Sequence, residues 1–192
     1  DTPAWQVARL QTMAELRGWS QLAALQVEYS LLQRTTERDL IPAARALGMG
    51  VMPWSPLASG LLSGKYATGA QVPADPEGGR GAMLTAIGRV TSVTVAVADV
   101  VKAVADQISA TSAQVALAWT LANPAVVAPL IGARTLRQIK DNIGALGIVL
   151  SDAHLASLDE ASRIDLGFPH DFLQYDFIHH GLTGGTDVRT RA

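Results

Sequence analysis

The sequence predicts a parallel α/β fold, the C-terminal part of a closed (β/α)8 barrel, from three observations. Short β-branched or apolar runs alternate with segments of helical periodicity. Two of those runs pass into polar, glycine-containing turns, Trp54-Ser55-Pro56-Leu57-Ala58-Ser59-Gly60 and Ile131-Gly132-Ala133-Arg134. Three parallel strands alone would also leave two long apolar edges unpaired, which closure into a barrel removes. A closed barrel of this kind takes about 250 residues, and this chain has 192. The expected division is residues 1–166 as the barrel portion, with a long loop at about 59–91, and residues 167–192 as a tail. An open three-layer sandwich is the alternative architecture.

The elements follow in order. Thr2-Pro3 offers a cap and a proline at the first helical position, with Val7, Leu10 and Ala14 at helical spacing up to Gly18. Residues 23–29 read as a buried strand. Thr36 and Asp39 make an acidic variant of the capping box, opening a helix that carries Leu40, Ile41, Ala44 and Leu47 on one face. Gly48 stands where a left-handed cap belongs, and residues 49–54 form the second strand. From Ser59 to about Thr91 glycine and proline punctuate a stretch without periodicity, the kind of long connection that carries function.

Val97, Val100, Val101, Val104 and Ile108 then recur helically. Thr111 with Gln114 forms a capping box for a helix that Asn123-Pro124 halts. Residues 126–131 are the third expected strand. Thr135 with Gln138 starts another helix, with Leu136, Ile139 and Ile143 as its buried face. Ser151-Asp152 opens the last one, carrying Leu155 and Leu158. From Gly167 onward the composition is that of a polar, glycine-rich tail.

Composition narrows the function classes. Fifteen basic against seventeen acidic residues leave a net charge of −2, without the basic stripe that a nucleic-acid surface needs. Cysteine is absent, which removes disulfides, thiolate metal sites and a cysteine nucleophile. No apolar run reaches the roughly 18 residues of a bilayer crossing, so neither membrane nor nucleic acid is an expected partner. A cytoplasmic protein is the expectation. His170, His179 and His180 cluster late without ligand spacing and read as a solvated tail rather than a metal site.

In a parallel α/β protein the loops at strand C-termini build the ligand site. The two turns therefore suggest one cradle for an elongated, phosphate-bearing ligand. Ser55, Leu57 and Gly60 offer backbone N–H groups in a turn, shaped by Pro56, that glycine lets a phosphate approach closely. Lys65 is a point charge within reach, or else a solvated loop lysine. Gly132 and Ala133 lead to Arg134, which precedes a capped helix, so an anion there would meet a guanidinium and unpaired helix N–H groups. Gln26 is expected to point inward as a buried amide that needs a partner. Glu28 shares its face and reads as a structural carboxylate.

Three stretches in register resemble the aldo-keto reductases: Gln26-Val27-Glu28-Tyr29-Ser30-Leu31, then Trp54-Ser55-Pro56-Leu57 with Gly60 and Gly64-Lys65-Tyr66, then Ile131-Gly132-Ala133-Arg134 with Gln138 and Asp141-Asn142. Gly167-Phe168-Pro169-His170-Asp171-Phe172-Leu173 is also similar to bacterial members. The resemblance implies a (β/α)8 barrel that binds NADP(H) extended and reduces aldehydes or ketones by hydride transfer. It implies that Trp54 stacks on the nicotinamide, where the residues alone equally allow a core tryptophan closing the barrel mouth. Gln26 would hold the carboxamide, and the turn after Trp54, with Lys65, the pyrophosphate. Arg134 and Gln138 would take the 2′-phosphate, and Asp141 and Asn142 the adenine edge, unless they are ordinary polar helix positions.

On that mapping the chain carries strands six to eight. The family's catalytic tyrosine and its Asp, Lys and His partners lie upstream, so no catalytic residue is assigned here. The missing N-terminal barrel portion is an expected partner, and these residues alone are expected to be inert. A non-catalytic NADP(H)-binding regulatory subunit of the same fold is the alternative, and a half-barrel that dimerises to restore closure is a third.

Overall fold

The computed structural model describes residues 1–65, 68, 84–86 and 88–186. Helix α1 spans Ala4–Arg17 and ends at Gly18, whose φ of +65° returns its N–H to the Ala14 and Glu15 carbonyls. Pro3 stands at its N-cap rather than inside the first turn. The helix buries Val7, Gln11 and Ala14 and leaves Leu10 in solvent. Gln11 displaces Leu10 because its amide ties three elements together. It accepts from the Leu22 N–H at 2.8 Å and donates to the Leu47 carbonyl and the Gln21 side chain.

Strand β1 (Ala24–Glu28) pairs in parallel with β2 (Gly50–Trp54), aligning Gln26 with Met52 and Glu28 with Trp54. Between them a 3-10 turn at Thr35–Glu37 precedes helix α2 (Leu40–Ala46). The expected Thr36–Asp39 box is not formed. Asp39 is the N-cap without a side-chain bond, and Thr36 is buried in the turn. Leu25, Val27, Val51 and Pro53 form the buried face of the pair, in one core with Ile41, Ala44, Val101, Val115, Trp119 and Leu158. The opposite face carries Gln26, Glu28, Met52 and Trp54, the side that would line a barrel.

The expected third strand is reduced to a single parallel bridge between Val51 and Val126. Val51 donates to the Ala125 carbonyl at 2.8 Å, and Val127 donates to the Val51 carbonyl at 2.9 Å. The next two rungs would need N–H groups from Pro53 and Pro129, and proline has none. Leu130 instead donates to the Pro53 carbonyl at 2.7 Å, one residue late. The segment still runs beside β2 in the same direction, as a bulged and interrupted strand.

Helix α3 (Ser92–Gln107) and helix α4 (Ser112–Ala122) begin in full capping boxes at Thr91/Thr94 and Thr111/Gln114. Helix α5 (Leu136–Gly144) is capped by the Thr135 hydroxyl, but Gln138 reaches past the cap to the Arg134 N–H at 2.8 Å. Its expected apolar face is wrong. Leu136 and Ile143 are 69% and 53% exposed, while Asn142 is the buried residue. The helix turns Asp141 toward α4, where Gln114 donates to the Asp141 carbonyl oxygen, and no described element covers the far side. Helix α6 (Asp152–Ala161) starts at a Ser151/His154 box and buries Leu158. The expected polar tail instead forms α7 (His170–Leu173) and α8 (Asp176–Thr183), along which Phe168, Phe172, Tyr175 and Phe177 pack ring to ring with centroids 5.7–6.5 Å apart. Among the described residues, no helix is long and apolar enough to cross a membrane.

Candidate functional site

Because β1, β2 and the segment at 125–130 run parallel, their C-terminal ends lie together. The Leu130–Pro53 bond places Ile131 and the turn that follows just beyond the level of Trp54. The structure thereby brings the Trp54–Gly60 turn and the Ile131–Arg134 turn to one end of the fold, with Gln26 and Glu28 on the adjoining strand.

The turn after β2 departs from ordinary backbone. Ser55, Ala58 and Ser59 have φ of 52°, 48° and 58°, and Gly60 has φ of 98°. Left-handed non-glycine residues cost about 1 kcal/mol or more each and collect at ligand-binding positions. Here they are held by the Ala58 N–H on the Ser55 carbonyl, the Ser59 N–H on Ser55 Oγ and the Gly60 N–H on the Leu57 carbonyl. Pro56 is buried, Leu57 packs against the core, and Lys65 is exposed. Tyr66 and residues 69–83 of the loop expected at about 59–91 lie outside the described residues.

The second turn is open. Gly132, Ala133 and Arg134 are exposed ahead of the capped start of α5. Gln138 spends its side-chain oxygen on the Arg134 N–H, so it braces the turn. Asp141 accepts the Thr111 hydroxyl through both oxygens, at 3.1 and 3.2 Å, and so points toward α4. Asn142 is 7% exposed, and among the described residues nothing bonds its amide. The amide itself is not closed off from solvent, since among the described residues the buried unpaired side-chain polar atom is Thr36 Oγ1.

Gln26 corrects an expectation. Its side chain is exposed, since Leu25 and Val27 take the buried face and no described strand covers the other. Trp54 is half-buried, and its indole N–H donates to the Asp1 carboxylate at 3.0 Å. Glu28 is largely buried, as expected, but its partner was not foreseen. Arg89, sixty-one positions away, grips it at 2.6 and 3.3 Å.

A second polar network, also missed, lies behind β1. Tyr29 donates its hydroxyl to Glu37 at 2.8 Å and accepts from Asn123 at 3.1 Å. Arg34 binds both Glu37 oxygens and reaches Asp159 at 3.0 Å, which also accepts the Trp119 indole N–H. Burial foremost pushes the Tyr29 hydroxyl well above the ordinary tyrosine range, with Glu37 adding to it. Burial pulls Arg34 down, but Glu37 and Asp159 more than offset this. The Arg34–Glu37 spacing was visible in the chain; the contacts with Trp119 and Asp159 were not.

The pattern of the aldo/keto reductase family matches residues 2–163, nearly the whole of this architecture. The chain belongs to the aldo/keto reductase family. Among aldo/keto reductase relatives, it is 40% identical over 156 residues to an uncharacterized oxidoreductase, YrpG, of Bacillus subtilis, covering 81% of this chain and 45% of that protein. It is 32% identical to norsolorinic acid reductase B of Dothistroma septosporum, covering 90% of the chain and 42% of the relative. A probable aryl-alcohol dehydrogenase, AAD4, of Saccharomyces cerevisiae is 30% identical, with 92% and 53% covered. This aldo/keto reductase chain thus spans about half the length of these curated relatives.

Proposed function

We propose that the intact protein is an NADPH-dependent reductase of aldehydes or ketones, and that this chain supplies the cofactor-holding part of a (β/α)8 barrel. The observation that carries the reading is the Leu130–Pro53 bond, which sets the strained turn after Trp54 level with the turn before α5. An extended dinucleotide needs such a pair of anion-binding ends separated by a flat surface.

In this reading the half-buried indole of Trp54 is the platform for the nicotinamide and Gln26 meets its carboxamide. The backbone N–H groups of Ser55 and Leu57, with Gly60 permitting close approach and Lys65 adding charge, orient the pyrophosphate. The exposed guanidinium of Arg134, at the capped start of α5, holds the 2′-phosphate while Gln138 fixes the turn. The unpartnered amide of Asn142 reads the adenine edge. When bound, NADPH supplies the hydride that the carbonyl carbon accepts. The proton for the developing alkoxide comes from a tyrosine of the barrel portion preceding this chain.

NADPH titrated against the protein should quench tryptophan fluorescence. Arg134→Ala should weaken NADPH by about tenfold or more while leaving NADH nearly unchanged, since only NADPH carries the extra phosphate. Equal loss for the two nucleotides would refute the assignment of Arg134. Absence of NADPH binding would refute the function.

A further inference from the structure

The Glu28–Arg89 pair occupies a place that a merely structural bridge does not need. Glu28 is in register with Trp54 across the parallel ladder, so their backbones lie about 5 Å apart, and its side chain is on the face shared with Gln26. It is 13% exposed, against 41% for Arg89. A largely desolvated carboxylate beside Trp54 would oppose any anionic ligand gripped by the neighbouring turns, because screening by water is weak there.

Arg89 removes that charge. Its guanidinium meets both carboxylate oxygens, Nη1 to Oε1 at 2.6 Å and Nη2 to Oε2 at 3.3 Å. It is also held from behind. The Arg89 N–H bonds the Leu84 carbonyl at 2.9 Å, Leu84 is fully buried, Val90 packs against the core, and Thr91 caps α3. The backbone therefore presents the guanidinium to Glu28 from a fixed base.

We propose that Arg89 is a positioning residue for the dinucleotide: it fixes and neutralises Glu28, so that the strand ends around Trp54 accept an anionic ligand. The proposal rests on the cofactor reading above and goes beyond it, since Arg89 itself need not touch the ligand.

The test compares Arg89→Met, Glu28→Gln and the double variant for NADPH affinity, with thermal melting measured alongside. Arg89→Met uncovers the carboxylate and should raise the NADPH Kd by about tenfold, a defect that added salt reduces. Glu28→Gln should bind as tightly as the unsubstituted protein or tighter. The double variant, which carries neither charge, should regain most of the affinity and remain folded even if Arg89→Met alone is unstable. A bridge that only holds the fold together would weaken binding in all three. The proposal is overturned if the double variant binds as poorly as Arg89→Met, or if Arg89→Met binds normally. If the unsubstituted protein fails to bind NADPH, the cofactor reading falls, and this proposal with it.

Discussion

Leu130 donates its backbone N–H to the carbonyl of Pro53 at 2.7 Å, one residue beyond the rung that a regular ladder would use. Pro53 costs nothing on its other side, because its missing N–H would have faced residues 125–130 and not β1. One imino acid on each chain segment thus ends the pairing, and the slip that repairs it fixes where the Arg134 turn leaves the strand.

The close approach that supports this pairing can be probed at Gly50. A Cβ built there would lie 2.7 and 2.8 Å from the two γ-carbons of Val127. Gly50→Ala should destabilise the fold by about 1–3 kcal/mol, read as a lower urea midpoint. Val127→Ala in the same chain should recover most of the loss, since it removes both clashing atoms.

Tyr29 should make stability fall in alkali. Its folded pKa lies above the unfolded value because burial disfavours the phenolate. The stabilising effect is complete below the unfolded value, about 10, and is lost as pH rises above it, where only the unfolded chain ionises. Urea midpoints measured from pH 8 to 11 should fall more steeply for the natural protein than for Tyr29→Phe. At neutral pH that variant should lose about 1–2 kcal/mol, since Asn123 forfeits its acceptor and Glu37 a donor.

Arg34→Met should cost about 3 kcal/mol, because Glu37 would remain largely buried without its counter-charge. The guanidinium also lies 5.1 Å over the Trp119 ring, so near-ultraviolet dichroism of that indole should change with it. A Glu37→Gln/Arg34→Met pair should lose less than Arg34→Met alone.

Thr111→Ala should destabilise by about 1 kcal/mol through loss of the α4 cap. It also takes the hydroxyl from Asp141 and so loosens α5. Hydrogen exchange should therefore quicken in residues 136–144 as well as in α4. Unchanged exchange there would show that the two helices are not coupled through this contact.

Local rules left clear marks in the chain. The caps at Thr111, Thr135 and Ser151, the left-handed Gly48 and the inside–outside alternation of residues 24–28 and 50–54 all rest on neighbours within four positions. The two polar turns were legible for the same reason, as short runs at strand ends. The buried face of α5 was misread because periodicity marks an apolar stripe but not whether a partner lies against it. Leu136 and Ile143 have none among the described residues.

The linear pattern of residues was enough for a parallel α/β chain, most of its helix caps and two polar turns at strand ends. These follow from propensities and hydrogen bonds closed over a few residues. It took long-range packing to settle that Pro53 and Pro129 interrupt the third strand, that Arg89 covers Glu28 and that Arg34 joins Glu37 to Asp159. Those outcomes depend on which groups meet across sixty or more positions, where the cost of an unpaired buried charge or donor selects the partner and no local pattern records the choice.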